Sequence, residues 1–249
     1  MGILKTITEE YFGNIIREED EINIDGLDVE IVSFTDNNGK FHKKGYKPKN
    51  KKNLQKLLER MIKMRGDEGD FNDIDTSYIT SMKSLFEYNE TFNGDITGWS
   101  VSKVTDMSHM FAYAKSFNQP IGKWKFPKVK NMSCMFLYAK SFNQPIGDWE
   151  FPKVEKMNSM FLYAKSFNQP IGGWKFPNVK DMSGMFSYAE SFNQPIGDWE
   201  FPNVTDVSGM FYYATSFDQD LSKWDLNGKN TTEIFDDCPI KDEYKPKMK

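Results

Sequence analysis

The sequence predicts an α/β repeat solenoid, because the same groups of residues recur along the 249-residue chain at a fixed spacing. Every tryptophan belongs to one series with a period of 25 residues, and a phenylalanine series has the same period. A period between about 20 and 50 residues is typical of stacked repeats, each of which buries its apolar face against its neighbours. The tryptophans are Trp99, Trp124, Trp149, Trp174, Trp199 and Trp224, and the phenylalanines are Phe92, Phe117, Phe142, Phe167, Phe192 and Phe217.

Residues 1–48 do not carry the repeat and are predicted to form a β-rich cap or subdomain. Asp25-Gly26 lies between alternating apolar residues, and a second glycine-containing turn lies in VSFTDNNGKF, so the pattern indicates one or two β-hairpins. Residues 49–66 have leucine and methionine at helical spacing and are predicted to form an amphipathic helix. Its basic face leaves two roles open: contact with acidic lipid or nucleic acid, or closure of the end of the array. We favour closure, because a terminal repeat needs a polar outer surface.

Residues 67–239 are predicted to form the solenoid, with about seven repeats, and residues 240–249 a C-terminal tail. The first repeat, residues 67–91, is degenerate, and the last decays after Trp224. Terminal repeats of stacked arrays are commonly atypical in this way.

One repeat combines two apolar periods. Trp149 and Phe151 are alternate residues, which predicts a short strand ended by Pro152. The following apolar residues are three or four apart, which predicts a short helical or 3₁₀ segment. Stacking would pair the strands in a parallel sheet. An asparagine series with Asn143 as a member is expected to satisfy backbone groups at each turn.

Two rows of residues form the candidate binding surface. A charged row between the inward tryptophan and phenylalanine of successive strands should point outward with alternating sign. A tyrosine row has two interpretations, a recognition strip or an amphipathic edge. Functional information is expected mainly where the copies differ, as at Asp148, Glu150, Lys153, Glu155 and Lys156. The charged row is Lys125, Glu150, Lys175 and Glu200, and the tyrosine row is Tyr113, Tyr138, Tyr163 and Tyr188.

The composition provides little for catalysis. The chain has two histidines, His42 and His109, neither in a metal-ligand spacing, and no phosphate-binding glycine loop, so we expect no enzyme activity, metal or cofactor. A net charge of -4 argues against the broad positive surface that non-specific nucleic-acid binding requires, and no specific nucleic-acid partner is expected. No run approaches 18 apolar residues, so no transmembrane segment is expected.

The motifs FNQPIGDWEFPKV, VTDMSHMF and MFSYA closely resemble a bacterial surface-protein repeat of about 25 residues, often described as of unknown function and grouped with BspA-like leucine-rich repeats. The resemblance extends from Phe71 to Pro239. It implies a right-handed, leucine-rich-repeat-like coil and a role in adhesion or host contact at the cell surface. It supplies no catalytic residues.

The leading functional hypothesis is therefore a non-catalytic scaffold that binds a protein or a glycan. The alternatives are a structural solenoid that self-associates end to end through unpaired edges, and an intracellular interaction module. The resemblance indicates the cell surface, whereas the start of this chain has no recognisable signal peptide, so the cytoplasm stays open as a second compartment.

Overall fold

A β-hairpin and one α-helix precede the repeats in the computed structural model, which describes residues 22–35, 39 and 41–247. Strands β1 (Val29–Thr35) and β2 (Phe41–Pro48) pair antiparallel. β2 also contacts the first repeat, since Tyr46 forms a parallel bridge with Ile74. The parts of the predicted cap in residues 1–21, 36–38 and 40 lie outside the described residues.

Helix α1 (Lys51–Arg65) lies inside the predicted helical range 49–66. The side chain of Asn50 caps it by accepting a hydrogen bond from the N–H of Asn53 at 3.0 Å, and the helix ends at Gly66, whose φ of 78° lies in the left-handed region. One face of α1 is buried in the core shared with the repeats, through Leu54, Leu57, Leu58 and Met61. The helix therefore covers apolar surface at the N-terminal end of the repeats.

Successive repeats are joined by a regular backbone ladder. At each of six junctions, four alternate N–H groups of one repeat donate to carbonyl groups of the next, at 2.7–3.0 Å. In the central repeat the donors are Met157, Ser159, Phe161 and Tyr163. Isolated parallel bridges accompany the ladder, mostly between residues 25 apart, such as Asn131 and Lys156. Equivalent residues of neighbouring repeats therefore lie next to each other.

The ladder does not lie where the sequence places the strand. Among the described repeats, the segment from tryptophan to phenylalanine has no assigned strand, and the parallel bridges lie at positions such as Asp106 and Lys156 instead. The segment predicted to be helical consists mainly of consecutive turns, because alternate N–H groups donate to the next repeat and the others donate to the carbonyl three residues earlier, which closes four-residue turns. Ile121–Lys123 and Asp242–Tyr244 are the 3₁₀ helices in the part of the chain that the structure describes.

The turns require left-handed backbone at two positions of each repeat. One is the tyrosine position, as at Tyr163 (φ 59°), and the other contains Cys134, Ser159, Gly184 and Gly209 in successive repeats (φ 54–60°). Glycine adopts this conformation without steric cost, which accounts for its appearance at the second position. What this second position requires is therefore a left-handed backbone and not a thiol, although Cys134 occupies it in one repeat.

The core is one continuous cluster of buried residues from Ile22 to Ile240. Equivalent rings stack along it: Trp149, Trp174, Trp199 and Trp224 are separated by 6.2–6.5 Å between centroids. Asparagines connect the repeats beside this core, since the Oδ1 of Asn143 accepts the N–H of Asn168 at 2.9 Å. The prediction that the asparagines satisfy backbone groups is confirmed. The solenoid class, its right hand and its leucine-rich-repeat type stay predictions.

Candidate interaction surface

The charged row is exposed and borders two depressions in the surface. Lys125 lies at a depression of about 610 Å³. Prolines and glycines from three successive repeats form most of its lining, and we name it the proline groove. Glu150 and Lys175 line a neighbouring depression of about 190 Å³. The residues of the proline groove are Pro120, Gly122, Lys123, Lys125, Pro145, Gly147, Asp148 and Pro170.

The four charged residues do not pair with one another. Among the described residues, no ion pair of 4.0 Å or less joins any two of them. Asp198, which lies outside the charged row, pairs with Lys223 at 2.8 Å. The hydrogen bond from Lys223, with a smaller contribution from Lys175, lowers the pKa of Asp198. The charged row therefore keeps side chains available to a partner.

The tyrosine row is continuous with Tyr88 at one end and Tyr213 at the other, and the six rings form one stack. Neighbouring rings from Tyr88 to Tyr213 have centroids 4.2–4.9 Å apart and nearly parallel planes. Each inner ring is therefore covered on both faces by its neighbours and presents its edge and its hydroxyl. Sugars bind tyrosine largely through the ring face, and the rings at the two ends, Tyr88 (65% exposed) and Tyr213 (37% exposed), are the most exposed of the row.

The tyrosine hydroxyls interact along the stack. Partial burial and hydrogen bonds with Tyr138 and Tyr188 raise the pKa of Tyr163 well above its ordinary value. Burial, with the nearby hydroxyls of Tyr88 and Tyr138, also raises the pKa of Tyr113. Tyr163 thus joins the hydroxyls of Tyr138 and Tyr188 at the centre of the row.

The charged row and the tyrosine row are two separate surfaces. Glu150 and Tyr163 are 13 residues apart in a repeat of 25, which is about half of one repeat. Neither depression beside the charged row has a tyrosine in its lining. The candidate residues do not converge on one site.

A third depression contains Lys153 and Glu155, two of the positions at which the copies differ. Glu155 lies between Lys130 at 4.0 Å and Lys180 at 3.7 Å, and these three residues line a depression of about 280 Å³ together with Lys153. Exposed pairs at these distances contribute about 0–1 kcal/mol each to stability. The local charge is positive, because two lysines of the neighbouring repeats face one glutamate.

Within the described residues, no group of three or more histidine, cysteine or carboxylate side chains is placed to hold a metal ion. None of the helices in the described ranges has the length and apolar character needed to cross a membrane. The absence of enzyme activity stays a prediction.

The proline groove was not predicted from the sequence. The signal was present in the recurring Pro-Ile-Gly triplets, in which the proline is exposed and the isoleucine is buried. Periodicity shows that these residues recur, but it does not show that prolines and glycines of three repeats lie side by side.

Comparison with known proteins gives one match. A family model described as "Mycoplasma protein of unknown function, DUF285" matches residues 52–169 and 146–244. A search of the curated proteins and a search of the solved structures return no match.

Proposed function

Because the chain belongs to the DUF285 family of Mycoplasma proteins of unknown function, we propose its role from its own surface: a non-catalytic repeat scaffold that binds a partner protein along the proline groove and the charged row. The observation that carries this proposal is the groove of about 610 Å³ with Lys123 and Lys125 beside its apolar lining. Concave apolar surface with a few polar groups is typical of binding sites.

The shape of the groove favours an extended segment of the partner. Its lining comes from three repeats, so it follows the direction in which the repeats stack. Proline cannot donate a backbone hydrogen bond, so the row of prolines offers apolar contact and carbonyl groups. Two lysines against Asp148 give this region a positive balance, which favours acidic residues in the partner.

A glycan is the alternative ligand, but the described surface has fewer features suited to bind one. Inner rings of the tyrosine row are covered on both faces, so stacking of sugar on aromatic faces would be confined to the ends of the row. A role in adhesion at the surface of the cell, and the leucine-rich-repeat type of coil, are part of the proposal. They are supported by the resemblance of the repeats to bacterial surface proteins.

The test compares two double variants with the same change of charge. Lys125→Glu with Lys175→Glu alters the charged row, whereas Lys140→Glu with Lys156→Glu alters exposed lysines elsewhere in the repeat. Affinity capture from the source cells with mass spectrometry should recover a partner with the intact chain and the control variant, and lose it with the first variant. Trp149→Ala disturbs the core, so any protein that this variant still captures binds without the folded repeats. Equal recovery by both double variants would contradict the proposal.

A further inference from the structure

The two ends of the backbone ladder are open and complementary. At the C-terminal end, the last repeat keeps the geometry of the inner ones: Glu233 and Asp237 have φ of 55° and 56°, and Phe235 stacks on Phe211 at 5.8 Å. The four N–H groups that would donate to a following repeat are those of Thr231, Glu233, Phe235 and Asp237. No group of the described residues accepts a hydrogen bond from them.

The N-terminal end presents the matching acceptors. In the first repeat, the N–H groups of Met82 and Tyr88 already donate to the second repeat. The carbonyl groups that would accept from a preceding repeat are those of Ser81, Lys83, Leu85 and Glu87, and none of the described N–H groups donates to them. Donors and acceptors occur at alternate residues on both ends, in the register of the six inner junctions.

In the described parts of the capping segments, no group forms a hydrogen bond with either edge. At the N-terminal end, Tyr46 of β2 bonds to Asp73 and Asp75, away from residues 81–87. At the C-terminal end, the carbonyl of Tyr244 accepts from Leu221, and the N–H of Lys241 donates to Asp218, away from residues 231–237. The described parts of both caps thus bond to other positions of the repeat. Open ladders of this kind are templates for pairing with another chain.

We propose that the protein self-associates head to tail, with the N–H groups of residues 231–237 of one copy donating to the carbonyl groups of residues 81–87 of a second copy. The contact continues the ladder across the two chains, with the N–H of Glu233 of one copy donating to the carbonyl of Lys83 of the other. The Glu233 side chain then lies over Ser84, its equivalent position, which is next to Lys83 in the sequence. Because the two surfaces differ, a dimer keeps one free donor edge and one free acceptor edge, so association continues to species larger than a dimer. Helix α1 already covers the core at its end, so the ladder carries the contact, and the cores do not join.

Sedimentation velocity of the full chain at low salt tests the proposal. The shared edge is small, which is typical of weak interfaces, so we expect the weight-average mass to rise by more than about 1.5-fold between about 10 μM and about 1 mM. Species larger than dimers should be present. A protein that stays monomeric over this range overturns the proposal, whatever else covers the two edges. An association that stops at a dimer overturns the head-to-tail arrangement.

Two variants locate the contact. Thr231→Pro removes one free N–H, and it follows Asn230, which lies in an extended bridge as a residue before proline requires. It should leave the unfolding midpoint nearly unchanged and lower the association. Glu233→Lys should also lower it, and Glu233→Lys with Lys83→Glu in the same chain should restore it. Glu243→Lys, an exposed change of equal charge near the same end but outside the edge, is the control and should associate like the wild type. If Glu233→Lys associates like Glu243→Lys, the assignment of the edge is wrong.

Discussion

A Cβ atom on Gly147 would lie 2.6 Å from the carbonyl oxygen of Pro170, which belongs to the next repeat. The same contact recurs within the proline groove between Gly122 and the carbonyl of Pro145, and beyond the groove at 2.6 Å between Gly172 and the carbonyl of Pro195. These distances are shorter than side chains tolerate, so only glycine allows the neighbouring backbones to approach this closely. The glycine after the isoleucine therefore allows the close approach in these repeats, whereas the repeat that begins near Phe92 has Thr97 at the equivalent position.

Gly147→Ala should lower the free energy of unfolding by about 1–3 kcal/mol, because the added methyl group must push two backbones apart. Urea denaturation followed by tryptophan fluorescence measures the change. Gly173→Ala is the matched control, since no atom lies within 4 Å of a Cβ at that position and its φ is not in the left-handed region. Its effect should stay within about 0.5 kcal/mol. Equal losses in both variants would show that the close approach is not what requires glycine.

Gly209→Val should destabilise the fold through backbone strain alone. Its φ is 58°, and the nearest side-chain atom to an added Cβ is the Cβ of Tyr212 at 3.9 Å, so there is space for a side chain. A left-handed conformation costs most residues about 1–2 kcal/mol, and a β-branched residue is among the least suited to it. Gly209→Asn has a side chain of similar size and should cost less, because asparagine tolerates this region. Thermal unfolding distinguishes the two, and the idea fails if asparagine is as costly as valine.

Two tryptophans that share a position in the repeat should differ in their response to phenylalanine. The Nε1 of Trp174 donates to the carbonyl of Ile146 at 3.1 Å, whereas the Nε1 of Trp124 is buried without a partner among the described residues. Both changes remove ring area, but only Trp174→Phe removes a hydrogen bond. It should therefore cost about 1 kcal/mol more than Trp124→Phe in chemical denaturation. A larger loss at Trp124 would contradict this account of the indole groups.

Alkaline pH should weaken the fold through the tyrosine row. The pKa of Tyr163 is raised in the folded protein, so its neutral form is the one the fold favours. Stability from this group is present in full below the ordinary tyrosine pKa of about 10, and it is lost as the pH rises above that value, because the unfolded chain ionises first. Denaturation between pH 8 and pH 11 should show the loss, and Tyr163→Phe should make it smaller. The same pH dependence in wild type and variant would exclude Tyr163 as its source.

Periodicity was a sound guide to which residues lie side by side. The spacing of Trp149 and Trp174 follows from sequence alone, because each repeat has to bury the same core residues against its neighbour. It was a poor guide to local backbone. The Met157–Tyr163 segment has the apolar spacing of a helix, but its alternate N–H groups bond to the next repeat and hold it in turns. A contact between repeats thus determines a local structure that helical periodicity cannot reveal.

At the candidate surface, too, the sequence determines some properties and the tertiary structure determines others. The sequence alone determined that Lys125, Glu150 and Lys175 are exposed, because they lie between buried aromatic residues. Only the tertiary structure decided that prolines and glycines of three repeats form a groove beside them, and that the inner tyrosines cover one another's faces. Exposure follows from a residue's place in its own repeat. A groove, a stack of rings or an open ladder depends on the distance and register between repeats, and these are set by backbone hydrogen bonds and close approaches that residue types do not encode one at a time.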